Sequence, residues 1–595
     1  MTEVSEVSGV KRRGCGSGQF LPEESFQSWG SYANALKQTT TRLHDRAFTR
    51  SMDETEIHEI KARSGHEMKR TLNWWDLIWF GVGVVIGAGV FVLTGLEAKV
   101  DAGPAIILSY VISGVSALLS VFCYTEFAVE IPVAGSSFAY LRVELGDFVA
   151  YIAAGNILFE YVISGAAVAR AWTSYFTSLL NHDSNDFRIH TNLADNYNQL
   201  DPIAVGILLI VGVIAMKSTK ATSRLNAVST ILHIVLIIFV IVAGLLKAKP
   251  SNYTPFAPFG VRGIFKASSV IFFAYVGFDA VATMAEETKN PAKDIPLGLV
   301  GSMAIIIVAY CLMALTLCLM QSYVDIDENA GYSVAFQRVG MNWAKYIVDL
   351  GALIGMTTAL LGGVVGQARY LTHIARTHML PPWFALVHEK TGTPINATVT
   401  MVLATAIIAF FTELDVLSKL VSISTLLIFT LVAIALMVRR YYVTGETSKL
   451  NQQKLIVYML LILASSSATA IYWARSNGWL CYVITVPIWI LSTCGLWWDL
   501  PQARKPKLWG VPLVPWLPSL SIAINIFLLG SLDSKSFGRF AIWTGILIVY
   551  YLFFGLHASY DTANTAKMVK GVKTGATKDE EDGKEAFHYQ LETQK

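Results

Sequence analysis

Three ionisable residues stand inside apolar runs, where a charge is costly. Glu160 lies in Asn156-Ile-Leu-Phe-Glu160-Tyr161, and Asp279 closes Ile271-Phe-Phe-Ala-Tyr-Val-Gly-Phe-Asp279. His233 is the only ionisable residue in its long apolar run. An acid at membrane depth costs roughly 2.5–3.5 kcal/mol on insertion scales, so it is expected to be paired or functional. A buried carboxylate facing a cavity can pair with a basic group or carry a proton. Arg170 is ten residues from Glu160 in the same run, about three helical turns away, which excludes direct pairing. Histidine titrates near neutrality and suits a proton relay, although a hydrogen-bonded core histidine is the plainer reading. For Asp279 the plainer reading is a helix-end carboxylate near water, since Glu286 and Glu287 follow. Tyr310 is a candidate pocket wall, and Glu126 a candidate anchor for loops.

Backbone chemistry is written into the glycine-broken run Gly81-Val-Gly-Val-Val-Ile-Gly-Ala-Gly-Val-Phe91. Glycine weakens a helix and lets another group approach the chain. Unwinding near Ile86, Gly87, Ala88 and Gly89 exposes N–H groups at the start of a half-helix, which suits a carboxylate. Gly83-xxx-Gly87 also fits a small-residue packing face, and that reading stands beside the first. The second interrupted run carries Phe272, Phe273, Ala274 and Tyr275 before Gly277. A break there turns carbonyls toward an ammonium group, with aromatic rings beside it. Interrupted segments at matching places in two halves are the strongest sequence pointer to a transporter site.

The elements that must hold these groups are membrane helices. The 595 residues are 54% hydrophobic and 15% charged, with mean hydropathy +0.49; soluble chains carry roughly 25% charged residues. About fourteen runs approach the ~20 residues that cross a bilayer. They lie near 76–96, 105–125, 148–170, 202–217, 227–247, 264–284, 298–320, 347–370, 396–412, 417–437, 455–474, 480–498, 515–531 and 540–557. Spans 1–5 and 6–10 read as two inverted five-helix halves, since five spans reverse the orientation of the next five. The organisation expected is a cytosolic N-terminal region (1–70), a transport core (71–440), four further spans (441–558) and a cytosolic tail (559–595). Basic residues before span 1, including Lys11, Arg12, Arg42 and Arg46, place the N-terminus in the cytosol. An even span count places the tail there too, with Lys567, Lys570, Lys573 and Lys578. Lys247, Lys249, Arg262 and Lys266 run against the rule, on the outer side. Short amphipathic helices around Trp29–Leu36, or a flexible tail, fit the N-terminal region.

Other functions lack a signature. There is no Gly-Lys-Ser/Thr phosphate loop, and His58-Glu59 and His66-Glu67 lack the second histidine of a zinc protease helix. The six cysteines have no metal-ligand spacing. Cys15 is a candidate palmitoylation site or an inert thiol. The expectation is no enzyme, no cofactor, no metal and no nucleic-acid partner.

Several motifs occur in order: Glu67-Met-Lys-Arg-Thr-Leu-Asn-Trp-Trp-Asp76, the span-1 glycines, Cys123-Tyr-Thr-Glu126, Ile131-Pro-Val-Ala-Gly135 and Gly277-Phe-Asp-Ala280. They continue with Ala285-Glu-Glu-Thr-Lys-Asn-Pro291, Gln367-Ala-Arg-Tyr370 and Gly392-Thr-Pro394. Over roughly residues 60–560 the chain resembles the cationic amino acid transporters of the amino acid–polyamine–organocation superfamily. Phe20-Leu-Pro-Glu-Glu-Ser-Phe26 is similar to the plant branch. The resemblance implies an all-α membrane protein with two inverted five-helix repeats and four extra helices. It implies that Ile86 to Gly89 receive the substrate carboxylate and that carbonyls around Phe272–Tyr275 meet the α-amino group, with Phe273 as gate. It puts Glu160, Asp279 and Tyr310 in the pocket. His233 falls where bacterial relatives carry lysine, at the meeting of spans 1, 5 and 8.

The function expected is uptake of arginine, lysine and related amino acids by alternating access, with the amino acid, protons and the lipid bilayer as partners. An inside-negative potential contributes ~2.3 kcal/mol per positive charge per 100 mV, so a cation accumulates about fiftyfold without proton coupling. Alternatives are a neutral, glutamine-type proton symporter and a receptor that binds without transporting. The plasma membrane is the expected location, with the vacuolar membrane as alternative.

Overall fold

The computed structural model describes residues 20–47, 70–131, 136–194, 196–217, 219–388, 391–475 and 478–564. Cys15, residues 132–135 and the tail lysines lie outside them. Helix dominates; among the described residues the only sheet pairs Ile189–His190 with Gln199–Leu200. Each of the fourteen expected runs carries helix. Among the described residues, eight helical runs are long and apolar enough to cross a bilayer by themselves.

Span 1 is two half-helices, 1a (Trp74–Val85) and 1b (Ala88–Glu97), and span 6 is 6a (Gly260–Ile271) and 6b (Asp279–Thr283). Asn73 and Asp76 form a capping box that starts 1a at the aromatic pair Trp74–Trp75. Spans 2 (Ile106–Glu130), 3 (Asp147–Leu179), 4 (Pro202–Lys217) and 5 (Thr219–Leu245) complete the first half. Spans 7 (Pro291–Met320), 8 (Asn342–Ala375), 9 (Ile395–Phe411) and 10 (Leu414–Tyr441) complete the second. Span 2 packs on 7, span 3 on 8 and span 4 on 9. Two five-helix halves facing each other give this pairing of corresponding members.

Large apolar side chains face outward as well as inward: Ile210, Val235, Ile407 and Leu491 are all exposed. In water this would be a liability, whereas lipid makes it ordinary. Apolar burial therefore cannot be what holds helix to helix, and small polar residues take that part. Ser109, Ser113, Ser116 and Ser120 form one buried stripe on span 2. Ser109 and Ser113 donate to the Ile264 and Ser268 carbonyls of 6a at 2.8 and 2.6 Å. Ser116 donates to Asn525 of span 13 (Trp516–Leu529) at 2.7 Å. Span 13 thus packs on spans 2 and 10 rather than standing apart. Span 12 (Leu480–Asp499) is the peripheral one, with 22% of its most apolar window buried against 78% in span 10.

The face carrying both ends of the chain is tied by ions. Arg439 pairs with Glu144 at 2.7 Å and Glu130 at 3.3 Å. Arg440 pairs with Glu126 at 2.7 Å, and Glu126 also accepts the Val511 N–H at 2.8 Å. The helices Trp29–Lys37 and Thr39–Ala47 dock on this face. Arg42 reaches Asp561 at 3.2 Å and Arg46 pairs with Asp147 of span 3. Removing one member of a buried pair strands the other charge, at about 3–5 kcal/mol. Arg440→Met should therefore lower the melting temperature of the solubilised full chain, and Glu126→Gln added to it should restore most of the loss. Unchanged melting of the single variant contradicts this.

Candidate functional site

The helix of span 1 stops at Val85, Ile86 turns extended (φ −70°, ψ 92°), and Gly87 leads into 1b. Gly87 has no side chain with which to cap 1b, and its N–H faces the Tyr310 hydroxyl. The first N–H groups of 1b, from Ala88 and Gly89 onward, thus meet the positive end of the helix dipole in the middle of the molecule. On the other side of the break the carbonyls have partners. Tyr310 donates its hydroxyl to the Val85 carbonyl at 3.1 Å, and His233 lies against the Ile86 backbone. His233 stacks on Phe91 of 1b, ring centroids 5.8 Å apart, and its Nε2 has no hydrogen-bond partner among the described residues. A Cβ on Gly355 of span 8 would collide with the ring, so a glycine there gives it room. Spans 1, 5 and 8 meet at this histidine.

Span 6 loosens into a 3-10 turn, Phe272–Tyr275, before Val276 turns extended and Gly277 takes φ +115°. That left-handed value favours glycine, and a Cβ there would stand 3.4 Å from the Val84 carbonyl oxygen. Reciprocally, a Cβ on Gly89 would lie 2.7 Å from Ala274 Cα. The two breaks touch. Their ends on the terminal face are joined as well, because Leu72 accepts from the Lys289 N–H and donates to the Glu287 carbonyl.

These contacts redistribute the glycine roles. Gly81 and Gly83 pack, their missing Cβ positions being 2.6 and 2.5 Å from Ser302 and Thr230. Gly89, expected in the carboxylate cradle, is also a close-packing position, although its backbone remains in the first turn of 1b. Gly87 is the glycine that faces space, with no atom nearer than 3.9 Å to its missing Cβ.

The span-6 residues divide similarly. Tyr275 and Tyr310 are wholly buried with Tyr110, in rings 5.4 and 5.8 Å apart, and Tyr275 donates to the Tyr110 carbonyl at 2.8 Å. Phe272 is buried against Phe429, and Ala274 against Gly89. Their side chains form walls, leaving the backbone to face a ligand. Phe273 sits in an apolar cluster with Leu93, Val270, Leu417 and Val421, between the breaks and the face opposite the chain ends.

Glu160 and Asp279 come together. Each carboxyl feels the other's charge, and Glu160 stands beside Thr425 of span 10. Tyr124, Tyr161 and Tyr370 lie in the field of both acids. The Tyr161 and Tyr370 rings are 6.0 Å apart. Glu160, Tyr161, Asp279 and Tyr370 are all half-buried. Ala359, Gly363, Gly366 and Tyr370 share one face of span 8, by their spacing of four, three and four. Ala359 lies 3.9 Å from the missing Cβ of Gly87, while Gly363 and Gly366 meet nothing within 4 Å. The three tyrosines escaped the sequence reading. A tyrosine in an apolar run looks like core, although Tyr124 and Tyr370 stand in the Cys123-Tyr-Thr-Glu126 and Gln367-Ala-Arg-Tyr370 motifs and Tyr161 follows Glu160. Arg170 is elsewhere, donating to the Ala409 and Gln199 carbonyls.

The structure thus sets the start of 1b at Gly87 against Ala359 of span 8, whose same face runs on to Tyr370 and the acids Glu160 and Asp279.

Residues 72–554 match the family described as amino acid permease. The chain is 67% identical to cationic amino acid transporter 1 of Arabidopsis thaliana, over 93% of this chain and 94% of that one. It is 61% identical to cationic amino acid transporter 5 of the same plant, over 92% and 96%. It is also 54% identical to that plant's vacuolar cationic amino acid transporter 8, over 92% of each.

The two glycines of the first break should separate in a stability assay. Gly89→Ala, which overpacks the contact with Ala274, should cost about 1–3 kcal/mol and lower the melting temperature. Gly87→Ala should leave it within a degree or so of the parent, and equal losses in both would contradict the assignment.

Proposed function

The chain belongs to the amino acid permease family, in its plant cationic amino acid transporter branch, and from that premise we propose that it transports arginine, lysine and related amino acids by alternating access. The observation that supports the reading is a half-helix that starts at Gly87 without a side-chain cap, in a bundle where Glu160 lies in the field of Asp279. The α-carboxylate docks on the N–H groups of Ala88 and Gly89, beside open Gly87. The α-amino group meets carbonyls of the loosened turn Phe272–Tyr275. The side chain points at Glu160 and Asp279, with Tyr161 and Tyr370 flanking it. Phe273 closes the space, and Tyr310 fixes the first break rather than touching the substrate. No chemical step is involved, and the chain acts as a permease rather than an enzyme.

Residues 71–440 are the transport core, and 441–558 are the supporting helices. Both termini face the cytosol, in the plasma membrane, so the face opposite the chain ends is the outer one. Membrane potential supplies the driving force, at ~2.3 kcal/mol per charge per 100 mV. Protons enter through His233, whose contact with Ile86 lets its charge state act on the first break.

Uptake of labelled arginine and glutamine into transport-deficient cells, at clamped potential and two pH values, tests the reading. Arginine uptake should saturate and rise with inside-negative potential, the substrate's own charge accounting for about fiftyfold accumulation at 100 mV and a coupled proton adding to it. A preference for glutamine independent of potential would overturn the substrate class, and binding without uptake would overturn transport. Gly87→Val should abolish uptake at normal surface abundance. His233→Ala should flatten the pH profile while arginine remains a substrate; a profile unchanged from the parent removes His233 from coupling.

A further inference from the structure

Glu97 ends half-helix 1b, at the outer side of the bundle, and is 1% exposed. Its Oε2 has no hydrogen-bond partner among the described residues. An acid oxygen sealed from water without a partner is a cost to the fold, and it needs a reason. The charges around it are Asp101, Asp415, Lys419 and Lys266. Both lysines are engaged: Lys266 with Asp101 at 2.8 Å, and Lys419 with Asp415 at 2.6 Å. Two cations thus face three carboxylates, and Glu97 is the acid left over.

Its place along the route is equally specific. Glu97 lies one helical turn outward of Leu93, on the same face of 1b. Leu93 belongs to the apolar cluster that holds Phe273. On 6a and its continuation, Lys266 lies two turns outward of Phe273. On span 10, Ser422 donates to the Val270 carbonyl at 3.0 Å, which sets the Asp415–Lys419 pair beside the same outer end of span 6. Immediately beyond Glu97 the chain departs from α-helix into a π-turn, Ala98–Ala102, which carries Asp101. The odd carboxylate therefore crowns the helices that converge on the Phe273 gate, at the ends a substrate from outside meets first.

We infer that Glu97 is an outer recognition site for a cation: as these outer helix ends part, the side-chain ammonium or guanidinium group of an incoming lysine or arginine pairs with the Glu97 Oε2, before Phe273 yields and the substrate reaches Glu160 and Asp279. Lys266 and Lys419 compete with that guest, which keeps the site weak enough to release it inward. This inference rests on the transport reading above and adds a selecting step to it.

The test uses the full chain in transport-deficient cells, with arginine and glutamine uptake normalised to surface abundance. Glu97→Gln keeps the shape and removes the charge. Its KM for arginine should rise about tenfold, the worth of one charge-assisted contact, with maximal rate retained and glutamine competition unchanged. Lys266→Gln, at a half-exposed position, should move the arginine KM the opposite way, several-fold down. If parent and Glu97→Gln give the same arginine KM, or if KM shifts equally for arginine and glutamine, the outer site is refuted. A change confined to the pH profile refutes it too, because it makes Glu97 a proton carrier. Should Glu97→Gln fail to reach the surface, an unchanged arginine KM in Lys266→Gln refutes the inference by itself. Absence of arginine uptake by the parent chain would instead strike the transport reading.

Discussion

Backbone polar groups released inside a bilayer must find partners, and the centre of this molecule is arranged around that requirement. Two helices stop halfway. The carbonyl end of the first break is satisfied by Tyr310 on Val85 and by His233 against Ile86. At the N–H end Gly87 brings no capping side chain and its own N–H faces the Tyr310 hydroxyl, so the groups left to a ligand begin at Ala88. The second break leans on the first, Gly277 against Val84 and Ala274 against Gly89. In the proposed reading the protein satisfies the break as far as Gly87, and the N–H groups from Ala88 onward serve the ligand. That asymmetry defines which end of a zwitterion docks where.

The same contacts bind the broken helices into one unit. They touch at the breaks and are joined again by the short bridge of Leu72 with Glu287 and Lys289. Spans 3, 8 and 10 face that unit with Glu160, Tyr161, Tyr370 and Thr425, while span 10 is held at its terminal end by the Arg439 and Arg440 ion pairs. A substrate touching both groups of helices can therefore bias their relative position. His233 stands on the seam, rooted in span 5 with its ring between Phe91 and Gly355.

The sequence makes the breaks legible because glycine in a span is costly, and makes Glu160 and Asp279 legible because charge in a span is costlier. Neither signal resolves which glycine does what. Gly87 and Gly89 are two residues apart in the same run, yet one faces space and the other the backbone of a residue 185 positions away. Tyr161, Tyr370 and Tyr124 were hidden because tyrosine suits a buried helix face as well as a pocket wall. Arg439 and Arg440 are buried against acids some 300 residues earlier. Pairings over such separations leave no local pattern. The docking of the first two helices onto the last, through Arg42 and Asp561, is invisible for the same reason.

A structure of the full chain with arginine bound tests the central claim most directly. The account predicts the α-carboxylate within hydrogen-bonding distance of the Ala88 and Gly89 N–H groups, beside Gly87, with the guanidinium between Glu160 and Asp279. Arginine bound in the reverse orientation, or with its guanidinium away from both acids, would contradict it.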